Sequence, residues 1–480
     1  MMKRILVSTL AQSKRLRAAL DDDWQIDVYM GRVIDLPPHA LGIDVAHDFR
    51  PTYGATQPRI VNRLRKALQA AEAIYVATTP TLDAEAHAWR LLRLAHVPAT
   101  TPVMRVTLQA LTAAGIRDAF AQPRPLDMQR VEAAETLRAV ERLVGYLLTP
   151  LARQSLGADV SIGYVTSLAL QQIAAQPPAI PTRWGLRAQF ETRAGERLEA
   201  ELITREGRRV TLDRHDKAAR LTELLRTAAC WVAETAERTV ARDAAPLSLA
   251  QLITRAPFAP SQTLALATAL YERGRITCPL VDDAIVPTDV DGALTGAAKV
   301  LFDLIAAEAA PKTETLRGAR IRAWWERDQS VWLTFRARER DTPLPALTDL
   351  EALHFIDAQA FPIGVPAPLT EAALALALHG QGVADLSTCI EAVSALVKQG
   401  DVETQAGRLQ LTARAQQISA WLTAYTGDLF ADPHAVRVDA IAAGETTRLE
   451  VLRPFWARLQ SVLATVPRPP RPLLLHPAEV

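Results

Sequence analysis

Two stretches of strand-forming sequence lie far apart in this chain, and most of what separates them has a helical pattern. The first comprises Trp184–Thr192, a turn at Ala194-Gly195, Leu198–Thr204, a turn at Glu206-Gly207, and Val210-Thr211-Leu212. The second comprises Ile321–Trp325 and Val331–Arg336, arranged as a hairpin around Arg327-Asp328. Runs of β-branched and aromatic residues bounded by turn residues are read as strands. The pattern therefore predicts one β-rich module that the chain leaves for about a hundred residues and then re-enters. A length of 480 residues, at roughly 100–200 residues per domain, allows three or four domains.

The N-terminal region has a different rhythm. Short apolar runs at Ile5-Leu6-Val7, Gln25–Tyr29 and Ile74–Ala77 alternate with helical patterns at Ser13–Leu20, Arg59–Ala71 and Ala84–Leu94. Strands alternating with helices indicate a parallel α/β unit over the first 105 residues or so. From Asp127 to Ala174 the spacing of Val131, Leu137, Val140, Val144 and Leu147 is helical, and Gln176–Pro181 breaks it as a linker. Two further segments have the order of winged-helix units. In the first, a capping box at Ser248–Gln251 precedes helices to Arg255 and over Ser261–Arg273, then a strand at Gly274–Thr277. In the second, helices at Thr370–His379 and Ser387–Gln399 precede a hairpin formed by Val402–Thr404 and Leu409–Leu411.

Composition narrows the functional classes. Lys and Arg total 54 and Asp and Glu total 53, for a formal net charge of +1. This excludes a generic basic tail that binds DNA by bulk charge, while leaving a local basic groove open. Seven of the cationic residues are Lys and 47 are Arg, and Arg suits paired, bidentate contacts. Three separated cysteines, Cys230, Cys278 and Cys389, make neither a disulfide framework nor a thiolate zinc module. Neither a signal-peptide pattern nor an apolar run of membrane-spanning length is found, so the expectation is a cytoplasmic protein, with association with the nucleoid as the alternative, and no membrane partner. His47 and His87 read as surface residues.

Several collinear segments resemble the type IA DNA topoisomerases. Val7–Lys14 resembles the family's V-E-S-P-A-K-A-K, Gly31–Pro37 its G-H-x-x-D-L-P, and Asp44–Tyr53 its D-x-x-x-x-F-x-P-x-Y. Arg138–Tyr146 is similar to R-x-x-D-R-x-x-G-Y, Ser161–Leu170 to S-A-G-R-V-Q-S-V-A-L, and Pro366–Ala372 to P-P-R-Y-T-E-A. The resemblance implies an α+β multidomain fold, with a Toprim α/β domain, winged-helix domains and a β-arch forming a toroid. The expected divisions are 1–108 for the Toprim-like domain and 109–180 with 363–465 for the winged-helix cap and base. The arch is expected at 181–246 with 310–362, a reduced nucleophile-bearing domain at 247–309, and a Pro-rich tail at 466–480.

By the same resemblance, the family's reaction needs a tyrosine nucleophile, acids that hold Mg²⁺, and cations that clamp phosphate. Here Cys278 stands at the tyrosine position and Leu280 at the clamping Arg. Ser8 and Gln12 replace a Glu and a Lys, and Thr79 and Thr81 replace the paired Asp. Only Asp83 and Glu85 keep a carboxylate, so the expectation is no intact catalytic set and no Mg²⁺ site. They also read as solvated or hydrogen-bonded residues at the start of a helix. Tyr164 stands at another Arg position, and Asp385 at a third. Cys278 has no neighbouring cation to make it a thiolate and reads as inert.

Candidate DNA-contacting residues are Arg138, Arg142, Tyr164, Thr166, Ser167, Ser387 and Thr388. Arg138 and Arg142 share a helix face, and ion pairing with Glu135 or Glu141 accounts for them equally well. The implied partners are DNA, single-stranded if any, and a protein such as a helicase, nuclease or other DNA-processing subunit. The functional expectation is a catalytically inactive topoisomerase-like scaffold. The alternatives are a single-stranded DNA clamp or a residual enzyme with a non-tyrosine nucleophile.

Overall fold

The computed structural model describes residues 3–176, 183–204, 208–228, 230–280, 283–288, 293–324, 334–338, 345, 347, 351–363, 368–405, 407–430, 432 and 434–466. The expected linker apart from Gln176, the turn at Glu206-Gly207, the turn of the second hairpin and the Pro-rich tail beyond Val466 lie outside them. The chain forms two compact units. Residues 1–176, 246–309 and 368–480 make the first, and 177–245 with 310–367 make the second.

The first unit opens with β1 (Lys3–Val7), α1 (Leu10–Ala19) and β2 (Trp24–Val28). Short strands follow at β3 (Ile34–Asp35), β4 (Ile43–Asp44), β5 (Arg50–Pro51) and β6 (Gly54–Ala55). Next come α2 (Pro58–Gln69), β7 (Ala73–Thr78), α3 (Leu82–Leu94), β8 (Val103–Thr107) and α4 (Ala113–Ala121). Strands β2, β1, β7 and β8 form one parallel sheet in that order. Ile5, Leu6 and Val7 are completely buried because helices cover both faces of a parallel sheet.

The expected single helical region from Asp127 onward is two helices, α5 (Met128–Leu156) and α6 (Tyr164–Ala174). Gly157, with φ of +62°, ends α5 in the left-handed conformation that a residue lacking Cβ adopts without strain.

The second unit holds β9 (Arg183–Glu191), β10 (Arg197–Ile203), α7 (His215–Arg226) and β11 (Cys230–Arg242). Helices α8 (Leu249–Arg255), α9 (Pro260–Glu272) and α10 (Gly296–Ala309) return to the first unit. Strands β12 (Lys312–Trp324), β13 (Thr334–Arg338) and β14 (Glu351–Ile363) then complete the second. The six strands close into a barrel in the order β10-β13-β12-β11-β14-β9. Phe190, Trp231, Phe335 and Phe355 pack against one another in its core, with ring centroids 5.0–5.8 Å apart. The interruption of the β module is thus shorter than the sequence pattern suggested. Strand β11 falls inside the expected helical stretch, where Ala, Glu and Arg between its apolar positions dilute the strand signal.

The chain ends with α11 (Glu371–Gly380), α12 (Leu386–Lys398), the hairpin β15 (Val402–Gln405) and β16 (Arg408–Leu411), α13 (Ala413–Phe430), α14 (Val438–Ala442) and α15 (Arg448–Thr465). The helix–helix–hairpin order of this segment is as expected. In the earlier one, the Ser248 capping box is present. The strand expected at Gly274–Thr277 is reduced to single bridges, with the Thr277 N–H donating to Val286 O and the Thr288 N–H to Arg275 O. Among the described residues no helix is long and apolar enough to cross a membrane.

Candidate functional site: a cleft at the sheet edge

Residues just beyond the carboxyl end of β7 line a cleft of about 720 Å³ in the first unit. Arg32, Thr81 and Asp83 line it from the α/β layer, Leu264, Thr268 and Glu272 from α9, and Leu280 from the segment after α9. Asp385, Ser387, Thr388 and Glu391 close the side formed by α12. A cleft beyond the carboxyl ends of parallel strands is where α/β sheets usually bind ligands.

At the end of β1, Gln12 is buried, and its Oε1 accepts from the Ser8 N–H at 3.0 Å, the Ser8 hydroxyl at 2.8 Å and the Thr9 N–H at 3.2 Å. This is a capping box on α1 made of neutral groups. At the end of β7, Thr81 caps α3 by accepting from the Ala84 N–H, and its hydroxyl lies 3.5 Å from that of Thr79. Asp83 is half exposed, 3.9 Å from Arg32 and 3.6 Å from Arg90.

Of the two readings offered for Glu85, the structure shows the hydrogen-bonded helix-start acid and not the solvated one: it is only 1% exposed. Its carboxylate accepts from Arg105 Nε at 2.9 Å, from Arg124 Nη1 and Nη2 at 2.8 and 3.0 Å, and from the Asp127 N–H at 2.8 Å. Burial works against its ionisation, but Arg124, the Asp127 N–H and Arg105 together hold its pKa below the usual carboxylate range. Arg105 is completely buried and spends its remaining donors on the carbonyls of Val76, Thr78, Thr79 and Val106. Sequence inspection missed it, because an Arg within an apolar strand gives no sign of its partner.

Cys278 is also completely buried. Its N–H donates to Gln109 O at 2.8 Å, and the nearby Tyr271 hydroxyl donates to Leu108 O at 2.6 Å. Burial pushes the thiol up to about 12. Gly274, just before it, has φ of +66°, and a Cβ there would meet Leu111 O at 3.1 Å, so the turn after α9 packs closely on the segment after β8.

The remaining candidates divide by burial. Arg138 pairs with Asp35 rather than with Glu135 or Glu141, and burial lowers its pKa to about 10. Arg142 donates to the carbonyls of Pro37, Ala40 and Leu41 and lies over the Tyr146 ring. Both guanidinium groups therefore brace residues 35–41. Their shared helix face is confirmed, but its job here is to hold that loop.

Tyr164 and Ser167 are 0% and 1% exposed and offer no surface to a strand of DNA. The Tyr164 ring packs against Phe430 and Phe455 at 5.7 and 5.6 Å, and its hydroxyl has no hydrogen-bond partner among the described residues. The half-buried Thr166 donates back to Gly163 O. The Ser387 hydroxyl and the Thr388 N–H are both taken by Asp385, the N-cap of α12, although both residues line the cleft. Glu141, expected as an ion-pair partner of Arg138 or Arg142, serves another role: its two oxygens accept from the N–H groups of Tyr164 and Val165, each at 2.9 Å, at the start of α6.

His47 is exposed as expected, but His87 is 4% exposed and stacks on Tyr29 with centroids 4.9 Å apart. It is a core residue, and burial lowers its pKa to about 4.

No protein-family model matches the chain. Its sequence is 25% identical to DNA topoisomerase 1 of Synechococcus elongatus over 580 residues, covering 95% of this chain and 65% of that protein. It is 27% identical to DNA topoisomerase 1 of Streptomyces coelicolor over 377 residues, covering 68% of this chain and 39% of the relative. A plasmid DNA topoisomerase I of Xylella fastidiosa is 33% identical over 174 residues, which is 36% of this chain and 26% of that one. The fold matches full-length topoisomerase I of Thermotoga maritima with a TM-score of 0.76 and 20% identity, over 96% of this chain and 90% of that one.

The chain is a relative of the type IA DNA topoisomerases. It spans from about a quarter to two thirds of the length of these curated relatives. In this topoisomerase relative the positions expected to carry the cleavage chemistry are Cys278, Thr79, Thr81, Ser8 and Gln12. The structure brings Thr81 to the cleft wall, puts Cys278 in the core, and ties Ser8 and Gln12 to each other.

Proposed function

We propose that this protein is a non-cutting topoisomerase-like subunit that lends its frame to a DNA-handling assembly as a scaffold. The observation that carries the reading is the state of Cys278, a completely buried thiol whose pKa is pushed up to about 12. At neutral pH it is a packed thiol and not a nucleophile.

The acids support the same reading. Mg²⁺ usually keeps several waters and is held by one or two carboxylates together with substrate phosphate. Glu85 has its oxygens taken by two arginines and a backbone N–H. The paired Asp of the family is here two hydroxyls. Asp83 alone, facing Arg32 and Arg90, does not make such a site. The reading therefore contains no Mg²⁺ and no strand-transfer step. Protein partners of the helicase or nuclease class follow from it as proposals.

The test is relaxation of supercoiled plasmid with Mg²⁺, paired with denaturant trapping of covalent protein–DNA adducts. The expected outcome is no relaxation and no adduct. A Mg²⁺-dependent relaxation abolished by Cys278→Ala would overturn the reading.

A further inference from the structure

Two helix faces make the long walls of the cleft described above. Residues 264, 268 and 272 recur at helical spacing along α9, and 387, 391, 394 and 398 do so along α12. Small and apolar side chains lie among them, including Ala265, Ala269, Ala395 and Leu280.

The charged lining is lopsided. Among the described residues that line the cleft, Asp83, Glu272, Asp385 and Glu391 are the acids, and Arg32 and Lys398 are the cations. Arg32 lies 3.9 Å from Asp83. That leaves three carboxylates against one lysine. Glu272 and Glu391 make no hydrogen bond or ion pair among the described residues. Asp385 accepts from the Ser387 hydroxyl and the Thr388 N–H on Oδ1 alone, which leaves Oδ2 open. Partial burial, Asp385 and Asp83 together raise the Glu391 pKa against the opposing pull of Arg32 and Lys398.

A second observation is independent of charge. Ser394 is only 6% exposed and lines the same cleft, and its hydroxyl has no hydrogen-bond partner among the described residues. Hydroxyls this far buried are normally paired, so this one is left for whatever fills the cleft.

We infer that the cleft is a docking groove for a cationic segment, rich in Arg or Lys, of a partner protein. This rests on the non-cutting reading and deepens it by giving the partner's chemistry. An anionic backbone meets like charge on these walls, whereas a guanidinium or ammonium meets open carboxylates. The alkyl stems of Arg and Lys cover apolar surface while their heads reach for charge, which suits alanines and a leucine set among acids. The Ser394 hydroxyl accepts from such a head or from a backbone N–H of the segment. The cleft's volume of about 720 Å³ is large enough for several side chains.

The experiment titrates the full chain at low salt with fluorescein-labelled hexa-arginine, read by anisotropy. The variants are Glu272→Gln, Glu391→Gln, the two combined, and Ser394→Ala. Asp159→Asn is the control, an acid outside the cleft whose side chain is 90% exposed. Each Gln variant is expected to weaken binding about threefold and the pair about tenfold, as for partly exposed ion pairs. Ser394→Ala is expected to weaken it about threefold through one lost hydrogen bond. Added salt shrinks the Gln effects and spares the Ser394 effect, and Asp159→Asn leaves binding unchanged. Absence of binding at low salt, or equal losses in all variants, overturns the inference. Spermine that displaces the probe as readily as unlabelled hexa-arginine, at matched charge, makes the ligand a free polyamine and overturns it too. Labelled oligo-dT is titrated separately; binding that Ser394→Ala weakens would put nucleic acid in the cleft, against the inference. Plasmid relaxation decides the non-cutting reading by itself, so failure of peptide binding leaves that reading standing.

Discussion

Arg105 Nε lies 2.9 Å from a Glu85 oxygen, and both side chains are sealed from solvent, at 0% and 1% exposure. Breaking one side of such a pair strands a buried charge, which costs about 3–5 kcal/mol. Arg105→Met is expected to destabilise the first unit by that order, measured by urea unfolding, and Glu85→Gln to do so by less, because it leaves a neutral acceptor. The sign with pH follows from the depressed Glu85 pKa. At acid pH the unfolded chain binds the extra proton, so this stabilisation is complete above the ordinary carboxylate value of 4.5 and is lost as pH falls through the folded value. In Glu85→Gln that part of the acid dependence disappears.

Cys278 is expected to resist iodoacetamide in the native protein at pH 8 and to react at once in denaturant, read by mass spectrometry of the peptide that contains it. Its burial and raised pKa leave almost no accessible thiolate. Cys278→Tyr is expected to restore no plasmid relaxation, since Thr79 and Thr81 supply no carboxylate, and to destabilise by about 1–3 kcal/mol through overpacking.

Tyr164 tests whether its position serves packing or contact with DNA. Its ring sits between Phe430 and Phe455, so Tyr164→Ala is expected to lose about 3–5 kcal/mol. Tyr164→Phe removes only an unpartnered buried hydroxyl and is expected to be neutral or stabilising. Equilibrium unfolding of both variants decides it; a large loss in the Phe variant would show that the hydroxyl is engaged.

His87 gives a second pH signature. Its pKa is lowered from 6.5 to about 4 by burial, so the unfolded chain takes up a proton first as pH falls. Stability from the neutral imidazole is complete above 6.5 and falls toward pH 4, by on the order of 3 kcal/mol. His87→Phe, which keeps the stack on Tyr29, is expected to flatten the curve between those values.

Much of the fold was legible because its elements announce themselves locally. The strand–helix alternation through β1, α1, β2, α2, β7 and α3 was readable, as were the Ser248 capping box and the β15–β16 hairpin. Strand β11 was not, because what makes it a strand is thirteen residues of pairing with β12 rather than its own composition. Glu85 illustrates the limit at the site. Its position after β7 could be read, but its two arginine partners come from β8 and from the loop before α5, 20 and 39 residues away. His87 was misplaced for the same reason, since nothing in the sequence says which face of α3 meets Tyr29.

The sequence by itself determined which residue types stand where the family's chemistry is expected: a cysteine for the nucleophile, hydroxyls for the paired acids, and Gln12 for a lysine. Those identities are local and need no coordinates. What they do was decided only by the tertiary structure. Arg138 and Arg142 became braces for residues 35–41, Tyr164 became core, Gln12 became a cap, and Glu272 and Glu391 converged on one cleft. The physical reason is that a charge or a hydroxyl acts through its surroundings. Burial, partner distance and local field belong to residues tens or hundreds of positions away, and only folding brings them together.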